Sequence, residues 1–184
     1  KMKHKKICID GAGLFGCTIS LILSKAGYYI DLYEKNTEIM NETSLKNQQR
    51  FHLGYHYPRS SKTISEIKSS FKKFIEFYGK NIFGKTTNVY AIPKKKSKIS
   101  FERYIAILKK NKLSYKKNFN NRIFSNLIND SIVVPEKNLN FFKLKKIILN
   151  EIKKEKKINL LLKSTFKKKN PQCMKKLLFV VTLG

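Results

Sequence analysis

The stretch that most constrains this chain is Ile7-Cys8-Ile9-Asp10-Gly11-Ala12-Gly13-Leu14-Phe15-Gly16. Ile7, Cys8 and Ile9 read as a short buried strand. Glycines at 11, 13 and 16 then give the spacing G-x-G-x-x-G, and a helical pattern follows at once. In such a turn the first glycine permits the sharp exit from the strand. The second lets the backbone approach a pyrophosphate, and the third lets the helix pack close on the strand. The new helix presents N–H groups and its positive dipole end to the phosphates. Between Leu14 and Lys25 the apolar residues Leu14, Ile19, Ile22 and Leu23 recur at helical spacing, with small Ser20 expected where helix meets strand. Gly27 suits the helix stop. Tyr28 to Tyr33 is rich in β-formers and runs into Glu34, 21 residues after Gly13, near the spacing of an acid that holds an adenosine ribose. Residues 6–34 therefore predict a strand–helix–strand unit for a dinucleotide. The turn residues Gly11, Gly13, Leu14, Phe15 and Gly16, with Glu34 and its neighbour Lys35, are the candidate cofactor contacts. The competing reading, glycines serving a tight turn alone, leaves Glu34 unexplained.

Charge needs separate treatment. The 184 residues carry 40 Lys and Arg against 12 Asp and Glu, a formal net charge of +28. That excess would ordinarily suggest nucleic acid. Only four of the bases are Arg (Arg50, Arg59, Arg103, Arg122), and base-reading surfaces favour the bidentate guanidinium. The excess is also uneven: 9 bases and 5 acids in residues 1–60, but 31 and 7 afterwards. The cofactor half is ordinary and the later half is lysine-coated, so no specific nucleic-acid partner is expected, only weak attraction to polyanions. Three cysteines show no metal-ligand spacing, and Cys8 and Cys17 are expected as small core residues. No apolar run approaches a membrane span or follows the basic start as a signal peptide would. A cytoplasmic protein acting on a small molecule is the expectation.

Residues 35–50 are polar and lack a clear period. Next, Arg50-Phe51-His52-Leu53-Gly54-Tyr55-His56-Tyr57-Pro58-Arg59-Ser60 gathers two His, two Tyr and two Arg in eleven residues. Rings stack, His and Tyr hydrogen-bond, and Arg pairs with a carboxylate. Tyr55, Tyr57 and Arg59 are candidate substrate contacts; an aromatic turn that merely covers the core is the alternative. A helix is then expected from Ser60 or Ser61 to Gly79, with Ile64, Ile67, Phe71, Phe74, Ile75 and Tyr78 inward. Strands are expected at 86–92, 131–136, 158–162 and 177–184. Helices are expected at 99–108, and at 139–152 with Phe142, Leu144, Ile147, Ile148 and Ile152 inward. Residues 111–128 give little signal. Alternating strands and helices predict an α/β class with a Rossmann-like, partly parallel sheet.

The pattern Gly11-x-Gly13-x-x-Gly16-x3-Ser20-x6-Gly27-x6-Glu34 resembles the FAD-binding unit of glutathione-reductase-type flavoproteins, with Ser20 where Ala or Gly is usual. The following segment, through Asn47-Gln48-Gln49-Arg50-Phe51-His52-Leu53-Gly54-Tyr55-His56-Tyr57, resembles the second flavin-contact segment of FAD-dependent oxidoreductases of the D-amino-acid-oxidase type. The resemblance implies an FAD/NAD(P)-binding domain over residues 1–184, with a cofactor unit at 6–59 and part of an inserted substrate domain at roughly 80–140. It also implies that Ser44 and Asn47 lie along the phosphates or the ring and His52 near the flavin, and that the chain is an N-terminal portion of such a protein. The expected activity is hydride transfer from an amine- or hydroxyl-bearing substrate to FAD. NAD on the same unit, a polyanion-binding protein and a non-functional fragment are the alternatives.

Overall fold

A computed structural model describes residues 6–46, 49–117 and 126–166, without the side chains at 43, 44 and 129. In chain order the elements are β1 (Lys6–Asp10), α1 (Leu14–Lys25), β2 (Tyr29–Tyr33), α2 (Thr43–Lys46), β3 (Arg50–Phe51), α3 (Ser61–Tyr78), a 3-10 turn (Lys80–Ile82), β4 (Asn88–Pro93), α4 (Phe101–Lys110), β5 (Lys116–Lys117), β6 (Ile128–Val134), β7 (Lys137–Asn138), α5 (Phe141–Lys154) and β8 (Ile158–Leu161). The class is the expected mixed α/β. The chain forms two compact units, one from residues 1–48 and 141–184, the other Gln49–Asn140. Residues 50–59, expected with the cofactor unit, belong to the second. The expected strand at 177–184 lies outside the described residues, as does Asn47.

In the first unit the sheet order is β1-β2-β8, all parallel. Ile9 pairs with Leu32, and Leu32 with Leu160. Parallel neighbours need crossover connections, which α1 and α5 supply. α1 packs on all three strands and on α5. Gly16 and Ser20 are buried on α1 as expected, whereas the apolar Leu14, Ile19, Ile22 and Leu23 are not. Gly16, Cys17, Ser20, Leu21 and Ser24 face inward, while Ile22 is 49% exposed. Small residues win because the helix lies too close to the turn for branched side chains, and each serine hydroxyl bonds within the helix: Ser20 Oγ donates to the Gly16 carbonyl (2.7 Å) and Ser24 Oγ to that of Leu21 (3.0 Å). The α5 stripe is inward as expected at Leu144, Ile148 and Ile152, and differs at its start, where Phe141 takes the place expected for Phe142. Phe141, Leu144, Ile148 and Ile152 are buried and Phe142 is 74% exposed. Cys8 is buried in β1, in a small cluster with Tyr33. Buried Asp31, at the centre of β2, receives Lys6 Nζ at 2.7 Å and Asn159 Nδ2 at 3.1 Å, one partner from each flanking strand.

The second unit is antiparallel: a sheet of order β4-β6-β5 and a two-residue pair of β3 with β7. Ser60 caps α3 by accepting the Thr63 N–H at 3.2 Å, and Ser100 caps α4 through Arg103 N–H at 3.2 Å. Such caps contribute about 1 kcal/mol each. Gly79 ends α3 at φ +80°, a conformation that favours glycine. Tyr55, Ile64, Tyr104, Leu108, Leu113, Ile132 and Val134 form the core between the helices and the sheet. A second aromatic group joins Phe51, Phe71, Phe74 and Phe83 at ring-centroid distances of 4.8 to 6.0 Å. Among the described residues no helix is long and apolar enough to cross a membrane, and no group of His, Cys, Asp and Glu could hold a metal ion.

Candidate functional site

In an open parallel sheet the ends of the strands leading into helices are where ligands sit. The glycine turn stands there, after β1. Gly11 has φ +101°, and its N–H donates to the Tyr33 carbonyl at 2.9 Å, tying the turn to the end of β2. Gly16 has no room for a side chain: a Cβ there would stand 1.9 Å from the Gly11 carbonyl oxygen. The helix start is thus pressed on the turn, as the third glycine of the motif requires. Gly13 caps α1 with extended backbone and no side-chain hydrogen bond, and no acid stands in the first turn. The positive end of the helix is left to act on whatever lies before it. Leu14 is half-buried behind the turn and Phe15 is 62% exposed.

Glu34 follows β2 directly and is buried. Its Oε2 accepts the Ala12 N–H at 2.9 Å, inside the glycine turn. Its Oε1 accepts the Asn36 backbone N–H at 3.0 Å and Asn36 Nδ2 at 2.9 Å. A carboxylate offers about four lone-pair sites. Three are occupied, which leaves capacity for a further hydroxyl donor. The connection after Glu34 folds back over the turn, with Met40 N–H donating to the Ala12 carbonyl at 2.8 Å. Asn36 was missed by the sequence reading, although an Asn two residues past a strand-end acid is well placed to bond it. Lys35 points elsewhere, to Glu42 at 3.4 Å in an exposed pair. Ser44 lies in α2, where its backbone is described but its side chain is not. Cys17 Sγ donates to the Ala12 carbonyl at 3.3 Å, and burial, then the Glu34 charge, push its thiol up to about 12. It is held as a thiol and is no nucleophile.

The aromatic segment lies wholly in the second unit. Tyr55 is a correction: it is 2% exposed, its hydroxyl donates to the Ser114 carbonyl, and its carbonyl accepts from Tyr104 OH at 3.0 Å. Its ring is core, which removes it from the substrate contacts. Tyr57 and Arg59 are exposed, and with His56, Pro58 and Ser60 they line a shallow depression of about 270 Å³. His52 is half-buried, its ring 5.9 Å from that of His56. Burial holds its pKa below the usual histidine value; Arg50 and His56 push the same way, and Glu136 opposes them. Glu136, which the sequence reading passed over as the end of a strand, is the buried acid of this unit.

No known family profile matches the chain. It is 29% identical over 129 residues to FAD-dependent monooxygenase FPY4 of Fusarium mangiferae, a match that covers 70% of this chain and 35% of that protein. Among solved structures, L-proline dehydrogenase from P. horikoshii superposes with a TM-score of 0.63 at 21% identity, covering 90% of this chain and 45% of that one. L-alpha-glycerophosphate oxidase from Mycoplasma pneumoniae, solved with FAD bound, gives 0.65 at 16% identity over 88% of this chain and 45% of that one. The chain spans about a third of the length of its curated relative and under half of these structures. The fold is that of FAD-binding oxidoreductases, in which this chain corresponds to part of the whole.

Proposed function

We propose that the chain is the cofactor-holding part of an FAD-dependent oxidoreductase. The observation that carries this reading is the turn itself: Gly16 seated on the Gly11 carbonyl, an uncapped helix start, and Glu34 anchored to Ala12 N–H. Backbone N–H groups at the start of α1 would take the pyrophosphate, with Gly11 and Gly13 giving it close approach. The remaining acceptor capacity of Glu34 would take a ribose hydroxyl. The same reading, on the resemblance of residues 43–59, assigns Ser44 and Asn47 to the phosphates or ring, His52 to the flavin, and Tyr57 and Arg59 to the substrate. FAD, when bound, supplies the hydride acceptor for oxidation of a carbon beside an amine or hydroxyl; the protein positions and polarises. The name of the Fusarium relative supports a second reading, in which the oxidation is a monooxygenation.

The test is the absorbance of the purified protein, followed by titration with FAD. Flavin bands, or their appearance on titration, are expected, with FAD rather than NADH raising the unfolding temperature. A colourless protein that takes up no FAD, or one protected by NADH alone, would overturn the proposal. Substrate oxidation that releases hydrogen peroxide separates an oxidase from a monooxygenase, which retains one oxygen atom in product.

A further inference from the structure

Arg50 and His52 are two residues apart on extended chain, so their side chains leave on one face while Phe51 leaves on the other. Phe51 enters the aromatic group with Phe71, Phe74 and Phe83. On the opposite face stands Glu136, with a fully buried side chain. It accepts the Leu53 N–H at 2.6 Å and Tyr90 OH at 2.8 Å. Arg50 Nε is 3.2 Å from Glu136 Oε2, but its N–H is not aimed at that oxygen, so the contact is an ion pair without a hydrogen bond. The guanidinium carbon lies 4.5 Å from the centroid of the Tyr90 ring. Arg50 Nε, Arg50 Nη2 and His52 Nδ1 are buried and lack any hydrogen-bond partner, and among the described residues no other buried side-chain nitrogen or oxygen does. An unpaired buried polar atom is costly, and native proteins hold few. Two such atoms on Arg50 and one on His52, a residue that feels the charges of both Arg50 and Glu136, are where a ligand acceptor would complete the bonding.

Charge decides the kind of atom. Glu136 already offsets Arg50, so a second buried carboxylate would leave one negative charge uncompensated. A carbonyl oxygen accepts from the guanidinium without adding charge. We propose that Arg50 and His52 form a binding site for a neutral carbonyl oxygen, with Glu136 as the positioning residue that holds Arg50. The oxygen comes either from the ring of a bound flavin, a source that rests on the cofactor reading above, or from a substrate carbonyl, which does not.

The test uses the full chain, labelled with 15N in Arg and His, titrated separately with riboflavin, acetamide, acetate and ADP. Riboflavin or acetamide is expected to shift the Arg50 side-chain and His52 Nδ1 resonances, and acetate is not. A response to riboflavin assigns the oxygen to the cofactor ring; a response to acetamide alone assigns it to substrate. Arg50→Gln is expected to weaken the responding ligand at least about tenfold. Glu136→Gln, which keeps a single oxygen where Leu53 and Tyr90 now use two and no charge to offset Arg50, is expected to weaken it as well and to lower the unfolding temperature, with ADP affinity nearly unchanged. Silence towards both carbonyl probes, or a stronger response to acetate, would overturn the inference; silence would mean that water alone meets these nitrogens. Failure of ADP to bind counts instead against the cofactor reading and leaves the carbonyl result standing.

Discussion

The two units fix their backbones by opposite means. In the first, side chains are removed: Gly16, Cys17, Ser20 and Ser24 let α1 lie against the turn and sheet, and Glu34 bonds backbone N–H groups only two and 22 residues away. In the second, side chains are large and the bonds are distant. Glu136 gathers Arg50, Leu53 and Tyr90, residues 46 to 86 positions earlier, inside a shell of tyrosines. A steric constraint of the first kind tolerates no addition. An electrostatic constraint of the second kind tolerates no deletion.

That contrast can be broken at four places. The largest effect is expected for Glu136→Ala, which leaves Leu53 N–H and Tyr90 OH without their acceptor and Arg50 without its counter-charge. Breaking a buried pair costs about 3–5 kcal/mol; Arg50 keeps some solvent access, so about 3 kcal/mol or slightly more is expected by chemical denaturation. Hydrogen exchange should lose protection in β4 and β6 while β1 and β2 keep theirs; equal loss in both units would dissolve the comparison. Gly16→Ala is expected to cost about 3 kcal/mol, because its Cβ meets backbone rather than a movable side chain. Here the exchange pattern should invert. Gly27→Ala sharpens the steric argument: nothing lies within 4 Å of its Cβ, yet φ is +95°, so only the backbone strain of about 1–2 kcal/mol is expected.

The smallest effect concerns acid. The folded state lowers the His52 pKa, burial being the largest cause. With its folded pKa below the usual value of about 6.5, the neutral ring contributes stability above that pH. The contribution is lost as pH falls through the lowered folded value, because the unfolded chain binds the proton first. His52→Gln should therefore flatten the fall in stability between about pH 7.5 and 5. An unchanged pH profile would show that the ring is no less ready to charge when folded.

The same contrast explains what the sequence disclosed. β1, the glycine turn, α1, β2 and Glu34 are contiguous, and each carries its own signal, so this strand–helix–strand unit was legible. The inward face of α1 was legible at Gly16 and Ser20 but not beyond, since hydropathy draws attention to Ile19 and Ile22 while close approach also selects Ser24. The start of α5 was misread because Phe141 and Phe142 are equally apolar and only tertiary packing chooses between them, while Leu144, Ile148 and Ile152 lie inward as expected. The pairing of β3 with β7 rests on two residues in each strand and cannot be read from periodicity. Glu136 had a faint signal, a rare acid after an apolar strand in a lysine-rich half. Its partners are scattered over residues 50–90, so no local pattern could join them. Tyr55 was misassigned for a related reason: composition shows that a loop is aromatic, and burial decides which rings it presents.

The central claim is that the turn and Glu34 hold the adenosine half of FAD. Calorimetric titration of FAD into the wild-type chain and into Glu34→Gln tests it most directly. Saturable binding is expected, weakened about tenfold or more by the substitution, since a charge-assisted bond to a ribose hydroxyl becomes a neutral one. Absence of binding by the wild type, or equal affinity in both proteins at equal unfolding temperatures, would contradict it.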